Sequence, residues 1–470
     1  MMKKKIIIAI FIFLSSIGTA MAALSIEDEQ KKGREFYEAL EKSALLYRDQ
    51  RVTTYVTQLG NRILANMPPQ PFAYRFSVIK SSAINAFATP GGYIYVNMGL
   101  VSLAENEGEL AGVLSHEIAH VASRHIADIF EKSQKVTMAT LAAVMAGALL
   151  GGGGELTAAA TGFSLAAGTT LMLKYSREHE EEADRQGMAY LVKAGYDGQG
   201  MPDFLKSMRQ YEYYSSKIPS YFLTHPGTEE RIRYLDALLQ TRYRKGGSQN
   251  ILGQLKRVQT VLTLEQKDPD ANQKFFQSEL AKSPNNVEYL YGLAVTQDRL
   301  GLTSKAIATF QKALTLAPDD PDVLRDLGIA FFKTGRSAEA IPYLSKALGK
   351  DDEGLTTAYY LGKAYEAVEK YATAIEIYQQ LIKKEGADDE VFHSLAAAYG
   401  KTNKRGISHY YFGLYFKKKN KLESALFHFK EALKHLPPGS GEFKETENHL
   451  QTMKLPDREY PPHLRKQRWD

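Results

Sequence analysis

The sequence predicts a mainly α-helical chain in two parts, a helical domain with a small β-sheet followed by an α-solenoid. Two segments and a repeat predict it. Leu110, Val113, Leu114, Ile118 and Val121 recur at helical spacing and carry His116 and His120 four residues apart. A second helical segment, Tyr175 to Gly187, places Glu180 and Asp184 four apart on one face. From Gly301 onward, small and large apolar residues return every 34 positions.

The N-terminus reads as a secretory signal peptide. Lys3, Lys4 and Lys5 precede the apolar run Ile6 to Leu14, and Ala20-Met21-Ala22 supplies a small-residue cleavage site. The alternative is an uncleaved anchor, but the run is shorter than the roughly 20 residues a bilayer span needs. Cleavage after Ala22 takes three lysines from a net charge of +5 and leaves +2, which offers no footing for nucleic acid. The chain has no cysteine. That excludes thiol catalysis, iron–sulfur clusters, cysteine-bound structural zinc and disulfides.

Alternation at Phe76, Val78, Tyr93 and Tyr95 around Pro90-Gly91-Gly92 predicts a β-hairpin over 76–96. Its edge, at Asn85, Ala86 and Phe87, is a candidate substrate-binding strand, because an extended peptide can add itself there through backbone hydrogen bonds. An ordinary structural hairpin fits the same residues.

On a helix, His116 and His120 aim two imidazoles at one metal ion. Glu117 lies beside the first ligand, placed to take a proton from a water attacking a peptide carbonyl. A catalytic zinc needs a third protein ligand. Ser123 and Ile126 stand where the metzincin pattern requires glycine and histidine, which excludes that class. Glu180 completes the set instead, and Asp184, one turn on, is placed to orient a ligand histidine; this is the glutamate-zincin arrangement. Glu181 and Glu182 read as a solvated face.

His225 precedes Pro226-Gly227 in a turn. It has three readings: a cap for the helix beginning near Thr228, a stabiliser of the oxyanion, or a fourth zinc ligand that holds the site inactive. His125 and His179 flank the motifs without ligand spacing. Residues 136–173 are apolar and alanine-rich around Gly151 to Gly154; they read as core helices, with a membrane hairpin or peripheral membrane contact as the alternative.

In the C-terminal part, Gly301, Gly335 and Glu369, then Ala306, Ala340 and Ala374, then Phe310, Leu344 and Tyr378, keep a 34-residue interval. This is the tetratricopeptide period, in which small residues let paired helices approach. Ala425 and Phe429 continue the pattern 51 residues after Ala374 and Tyr378, which implies an additional helix near 389–404. Tyr359, Tyr360, Tyr410 and Tyr411 are candidate contact residues. The expected organisation is a signal peptide at 1–22, a zinc metallopeptidase domain at 23–248, connecting helices at 249–284, tetratricopeptide repeats at 285–455 and a tail at 456–470.

Several stretches resemble the HtpX-like and CaaX-prenyl-endopeptidase-related zinc metallopeptidases: Ile84 to Gly92, Tyr93 to Val96, Asn106 to Ala111, the two histidines with Glu117, the Glu180 and Asp184 pair, and Thr224-His225-Pro226. The resemblance implies one zinc ion per chain held by His116, His120 and Glu180, with Glu117 as base, Asp184 as their support and His225 as a self-inhibitory ligand. A secreted member with C-terminal tetratricopeptide repeats is similar to a Gram-negative periplasmic subgroup. The subgroup implies partnership with the outer-membrane β-barrel assembly machinery, chaperone-like help in barrel assembly and degradation of stalled barrel proteins. The rival expectation is a non-proteolytic or mostly latched adaptor working through its repeats.

Overall fold

The computed structural model describes residues 24–132, 175–216, 218–243, 246–350, 354–384, 386 and 388–453. The expected signal peptide, the ambiguous stretch 136–173 and the tail from 456 lie outside them. The chain divides after Gln266 into two compact units.

The first unit opens with α1 (Ile26–Lys42) and α2 (Gln50–Leu64). Ser25 and Asp49 cap them by accepting the amide protons of Asp28 and Arg51. Helix α2 buries Val52, Tyr55, Val56, Leu59 and Ile63, one stripe at helical spacing, against β1. Three strands follow: β1 (Arg75–Ile79), β2 (Ala86–Thr89) and β3 (Tyr93–Asn97), in the order β1-β3-β2.

The expected 76–96 hairpin is therefore corrected. Only β2 and β3 form an antiparallel hairpin, and β1 pairs parallel with β3, Phe76 opposite Ile94. Alternation marks strands but not their direction or order, and β2 is buried at all four positions, so it has no alternation to read. The turn needs glycine. Gly91 has φ +80°, and a Cβ there would stand 2.6 Å from the Gln30 backbone of α1.

Next come α3 (Met98–Leu103), α4 (Glu107–Ala122) and α5 (His125–Lys132). Helix α4 is buried on every side from Glu107 to Val121. Its first residue, Glu107, is a buried carboxylate that accepts from the Tyr196 hydroxyl at 2.7 Å and the amides of Ile251, Leu252 and Gly253 at 2.7–3.0 Å. Four such donors anchor the entry of α4 to distant chain. Helices α6 (Arg177–Lys193), α7 (Gly200–Ser215), α8 (Ser220–Thr224), α9 (Thr228–Thr241) and α10 (Leu255–Gln266) complete the unit. Helix α6 packs on α4 through Gly187, where a Cβ would lie 3.0 Å from the His116 amide nitrogen. Two backbones thus meet at the turn that bears His116.

The second unit is a run of helices: α11 (Pro269–Lys282), α12 (Val287–Arg299), α13 (Thr303–Leu316), α14 (Pro321–Lys333), α15 (Ser337–Leu348), α16 (Leu355–Ala367), α17 (Tyr371–Leu381), α18 (Glu390–Lys401), α19 (Arg405–Lys418), α20 (Leu422–His435) and α21 (Gly441–Thr452). The repeating positions Ala306, Phe310, Ala340, Leu344, Ala374, Tyr378, Ala425 and Phe429 are all buried, as interdigitation between paired helices requires. The additional helix expected near 389–404 is α18, and α19 packs against both α18 and α20. Of residues 249–284, read as connecting helices, α10 belongs to the first unit and α11 to the second. Tyr410 is buried with its hydroxyl on Glu445, while Tyr359, Tyr360 and Tyr411 are half-buried. Among the described residues no helix is long and apolar enough to cross a membrane.

Candidate metal centre

Helix α4 places His116 and His120 one turn apart with their Nε2 atoms 2.9 Å from each other. Glu180 arrives from α6, Oε1 3.4 Å from His120 Nε2 and Oε2 3.5 Å from His116 Nε2. His225 follows α8, and its Nδ1 lies 3.3 Å from His116 Nε2 and 3.0 Å from Glu180 Oε1. One potential ligand atom from each of the four falls within 4.8 Å of the others, and all four residues are buried.

These residues fit a zinc ion. Three imidazoles and a carboxylate are a tetrahedral donor set. Among the described residues, both oxygens of Glu117 and Nε2 of His225 are buried beside the cluster with no hydrogen-bond partner, His225 Nε2 lying 3.5 Å from Glu117 Oε1, a costly arrangement unless a cation or substrate meets them. Burial, then His116, lowers the His120 pKa well below its ordinary value. Burial and the Arg231 charge lower that of His116, yet Asp184 and Glu180 override them and push it up to about 9. The cluster thus favours one positive charge between its carboxylates, which a cation supplies when it displaces that proton.

Asp184 holds one of these rings. Its Oδ1 is 2.7 Å from His116 Nδ1, which leaves Nε2 of that ring turned to the cluster. Asp184 in turn accepts from Arg231, Nε to Oδ2 at 2.7 Å and Nη2 to Oδ1 at 2.8 Å, and from the Tyr234 hydroxyl. The same guanidinium reaches Glu180 Oε2 at 2.6 Å. Burial raises the Asp184 and Glu180 pKa values, but Arg231 and then the histidines outweigh it and hold both below the ordinary carboxylate range. Stability from such groups is full above about pH 4, their unfolded value, and is lost as pH falls toward their folded values. Denaturant midpoints of the metal-free protein should therefore fall steadily below pH 4, less steeply in Asp184→Asn. A midpoint unchanged from pH 6 to pH 3 would contradict this.

His116, His120, Glu180 and His225 converge here, with Glu117 and Asp184 against them. The capping reading of His225 fails, because Gly227 holds the N-cap position of α9 at φ +82° and the His225 ring is buried in the cluster. In the expected edge, Asn97 donates to the Asn85 carbonyl at 2.9 Å, so residues 85, 87 and 89 face β3. Ala86 and Ala88, both fully buried, turn their backbone groups away from β3, and no described backbone group bonds to them. Ile84 accepts from the Tyr221 amide and the Ser220 hydroxyl, both at 3.1 Å, tying the His225 segment to the start of this edge.

Sequence reasoning missed Arg231, Tyr175 and Tyr221. Tyr175 stacks on His120 at 3.8 Å between ring centroids, and Tyr221 on His225 at 4.2 Å. The readable signal for Arg231 was its i,i+4 spacing from Leu235, the other buried residue of α9.

Fold and site together define a metallopeptidase domain of the glutamate-zincin kind, followed by a tetratricopeptide solenoid. Residues 48–239 match Peptidase family M48. Residues 264–321, 299–353 and 357–385 match tetratricopeptide repeats. Among relatives, a putative beta-barrel assembly-enhancing protease of Vibrio cholerae is 37% identical over 221 residues, 47% of this chain and 46% of that protein. The beta-barrel assembly-enhancing protease of Escherichia coli K12 is 34% identical over 221 residues, 47% and 45% of the two chains. The mitochondrial metalloendopeptidase OMA1 of Schizosaccharomyces pombe is 30% identical over 187 residues, 40% and 53%. The chain spans about half the length of the curated relatives it matches.

Proposed function

We propose that this chain is a zinc-dependent metalloendopeptidase that holds one ion through His116, His120 and Glu180, with His225 as a removable fourth ligand. The observation that carries the proposal is the buried convergence of those four donors beside Glu117, whose Oε1 lies 3.5 Å from His225 Nε2. When bound, zinc supplies Lewis-acid polarisation of a peptide carbonyl and of a nucleophilic water. Glu117 is the base. Burial raises its pKa from the ordinary carboxylate value, His225 and His116 opposing, so its carboxylate is a better proton acceptor than an exposed glutamate. It takes a proton from the water at one oxygen and delivers it to the leaving amine. Asp184 and Arg231 keep His116 in the required tautomer. The backbone groups of Ala86 and Ala88 that β3 leaves unused bind the substrate as an added strand once the cover that buries both residues withdraws, with Asn85 and Phe87 fixing β2 to the sheet.

The names of the relatives and the repeats support a setting for this chemistry. The chain works in the periplasm after removal of residues 1–22, near the outer membrane. Its repeats recruit the β-barrel assembly machinery and unfolded barrel proteins. It assists their assembly and degrades those that stall.

His116, His120, Glu180 and His225 together would supply the four donors zinc prefers and would leave no position for water. The resting enzyme is therefore latched, which also favours the second reading, an adaptor that acts mainly through its repeats until His225 leaves. His225→Ala should raise cleavage of casein and of an unfolded barrel protein several-fold, zinc content being kept. A large fall in cleavage would overturn the latch.

A further inference from the structure

His120 needs a partner for its second nitrogen. Its Nε2 faces the cluster, so Nδ1 carries the proton of the neutral ring, and a metal-ligating histidine is held by whatever accepts that proton. For His116 the acceptor is Asp184. For His120 it is another imidazole: Nδ1 of His125 lies 2.9 Å from Nδ1 of His120, the ring planes at 75°. His125 is 3% exposed.

The rest of the arrangement holds His125 in that role. Its Nε2 is 3.4 Å from Glu182 Oε2, and Glu182 Oε1 accepts from the Ser123 hydroxyl at 3.0 Å and the Gln186 amide at 2.9 Å. A proton on His125 Nε2 facing Glu182 leaves Nδ1 as the acceptor His120 requires. His179 stacks on the other side of His125 at 4.4 Å, itself 3.0 Å from Asp128 Oδ2. The turn that makes this possible is Arg124, at φ +56°, which breaks the helix and returns the chain toward His120.

We propose that His125, backed by Glu182, is a positioning residue of the metal centre that fixes the tautomer and ring orientation of His120. The inference rests on the reading of His120 as a zinc ligand. The two ligands of α4 are then unequal: an anionic carboxylate backs His116, and a neutral imidazole backs His120.

Two substitutions separate positioning from packing. His125→Phe keeps a ring to stack on His179 but has no acceptor. His125→Asn loses the ring but keeps an oxygen near the place of Nδ1. Zinc affinity is measured by chelator competition on full-length wild type, both variants and Glu180→Gln, with thermal unfolding of each metal-free protein as the check on folding. His125→Phe should lose roughly 10- to 100-fold in affinity at unchanged metal-free stability, and His125→Asn should stay within a few-fold of wild type. Equal affinity of His125→Phe and wild type, equal losses in both variants, or a greater loss in His125→Asn would overturn the positioning role while leaving the zinc site standing. Wild type that bound zinc no better than Glu180→Gln would overturn the zinc site itself.

Discussion

Glu117→Gln is expected to lower cleavage of casein and of an unfolded barrel protein by about 10²- to 10⁴-fold while zinc content stays unchanged. The size follows from the chemistry. Glutamine preserves the shape of a fully buried side chain, so packing around α4 is kept, but an amide cannot take a proton from water. Among the described residues nothing else is placed to substitute: Glu180 and Asp184 are engaged by Arg231 and the histidines and are held below the ordinary range. The metal-free variant should also be at least as stable as wild type, because glutamine removes a buried carboxylate without a hydrogen-bond partner. Partner binding through the repeats should survive. Retained barrel assembly with lost cleavage would show that the two activities are separable; cleavage indifferent to Glu117 would remove it from the mechanism.

The largest effect on stability is expected at Arg231. Its guanidinium is 4% exposed and joins Asp184 of α6, Glu180 of α6 and, through Asp184, His116 of α4. Arg231→Met leaves two buried carboxylates without their cation and should cost about 3–5 kcal/mol of metal-free stability, with weaker zinc binding because Glu180 and His116 lose their orientation. The charges are coupled, so the costs will not add. Adding Asp184→Asn to Arg231→Met should recover part of the loss, since the second change removes one of the orphaned charges. Denaturant unfolding of the metal-free proteins measures this. A loss under about 1 kcal/mol for Arg231→Met would mean that the pairs are solvated rather than buried.

The residues that were legible in the sequence are those whose role follows from one element. His116, His120, Glu180 and Asp184 are pairs on single helices, where spacing alone puts both members on one face. The tetratricopeptide helices, α18 included, were legible because a 34-residue interval exposes any interruption. What was hidden depends on contact across elements. Arg231 stands among Glu229, Glu230 and Arg233 and reads as part of a wet helix face, yet its carboxylate partner lies 47 residues earlier. His125 is five residues from His120, a spacing that points away on a continuous helix; the left-handed residue Arg124 reverses that, and a short charged segment gives no sign of it. Glu182, set aside as a solvated face, has its side chain 53% exposed and still reaches His125 with one oxygen. The parallel pairing of β1 with β3 was hidden because period-two patterning carries no direction.

The central claim is a single zinc ion held by side chains from α4, α6 and the turn after α8. Metal analysis of the purified chain beside Glu180→Gln tests it most directly. One zinc per chain in wild type, lost or strongly reduced in Glu180→Gln with the fold intact, is the predicted result. No zinc in wild type, or an equal content in both proteins, would contradict the claim and move the function of the chain to its repeats.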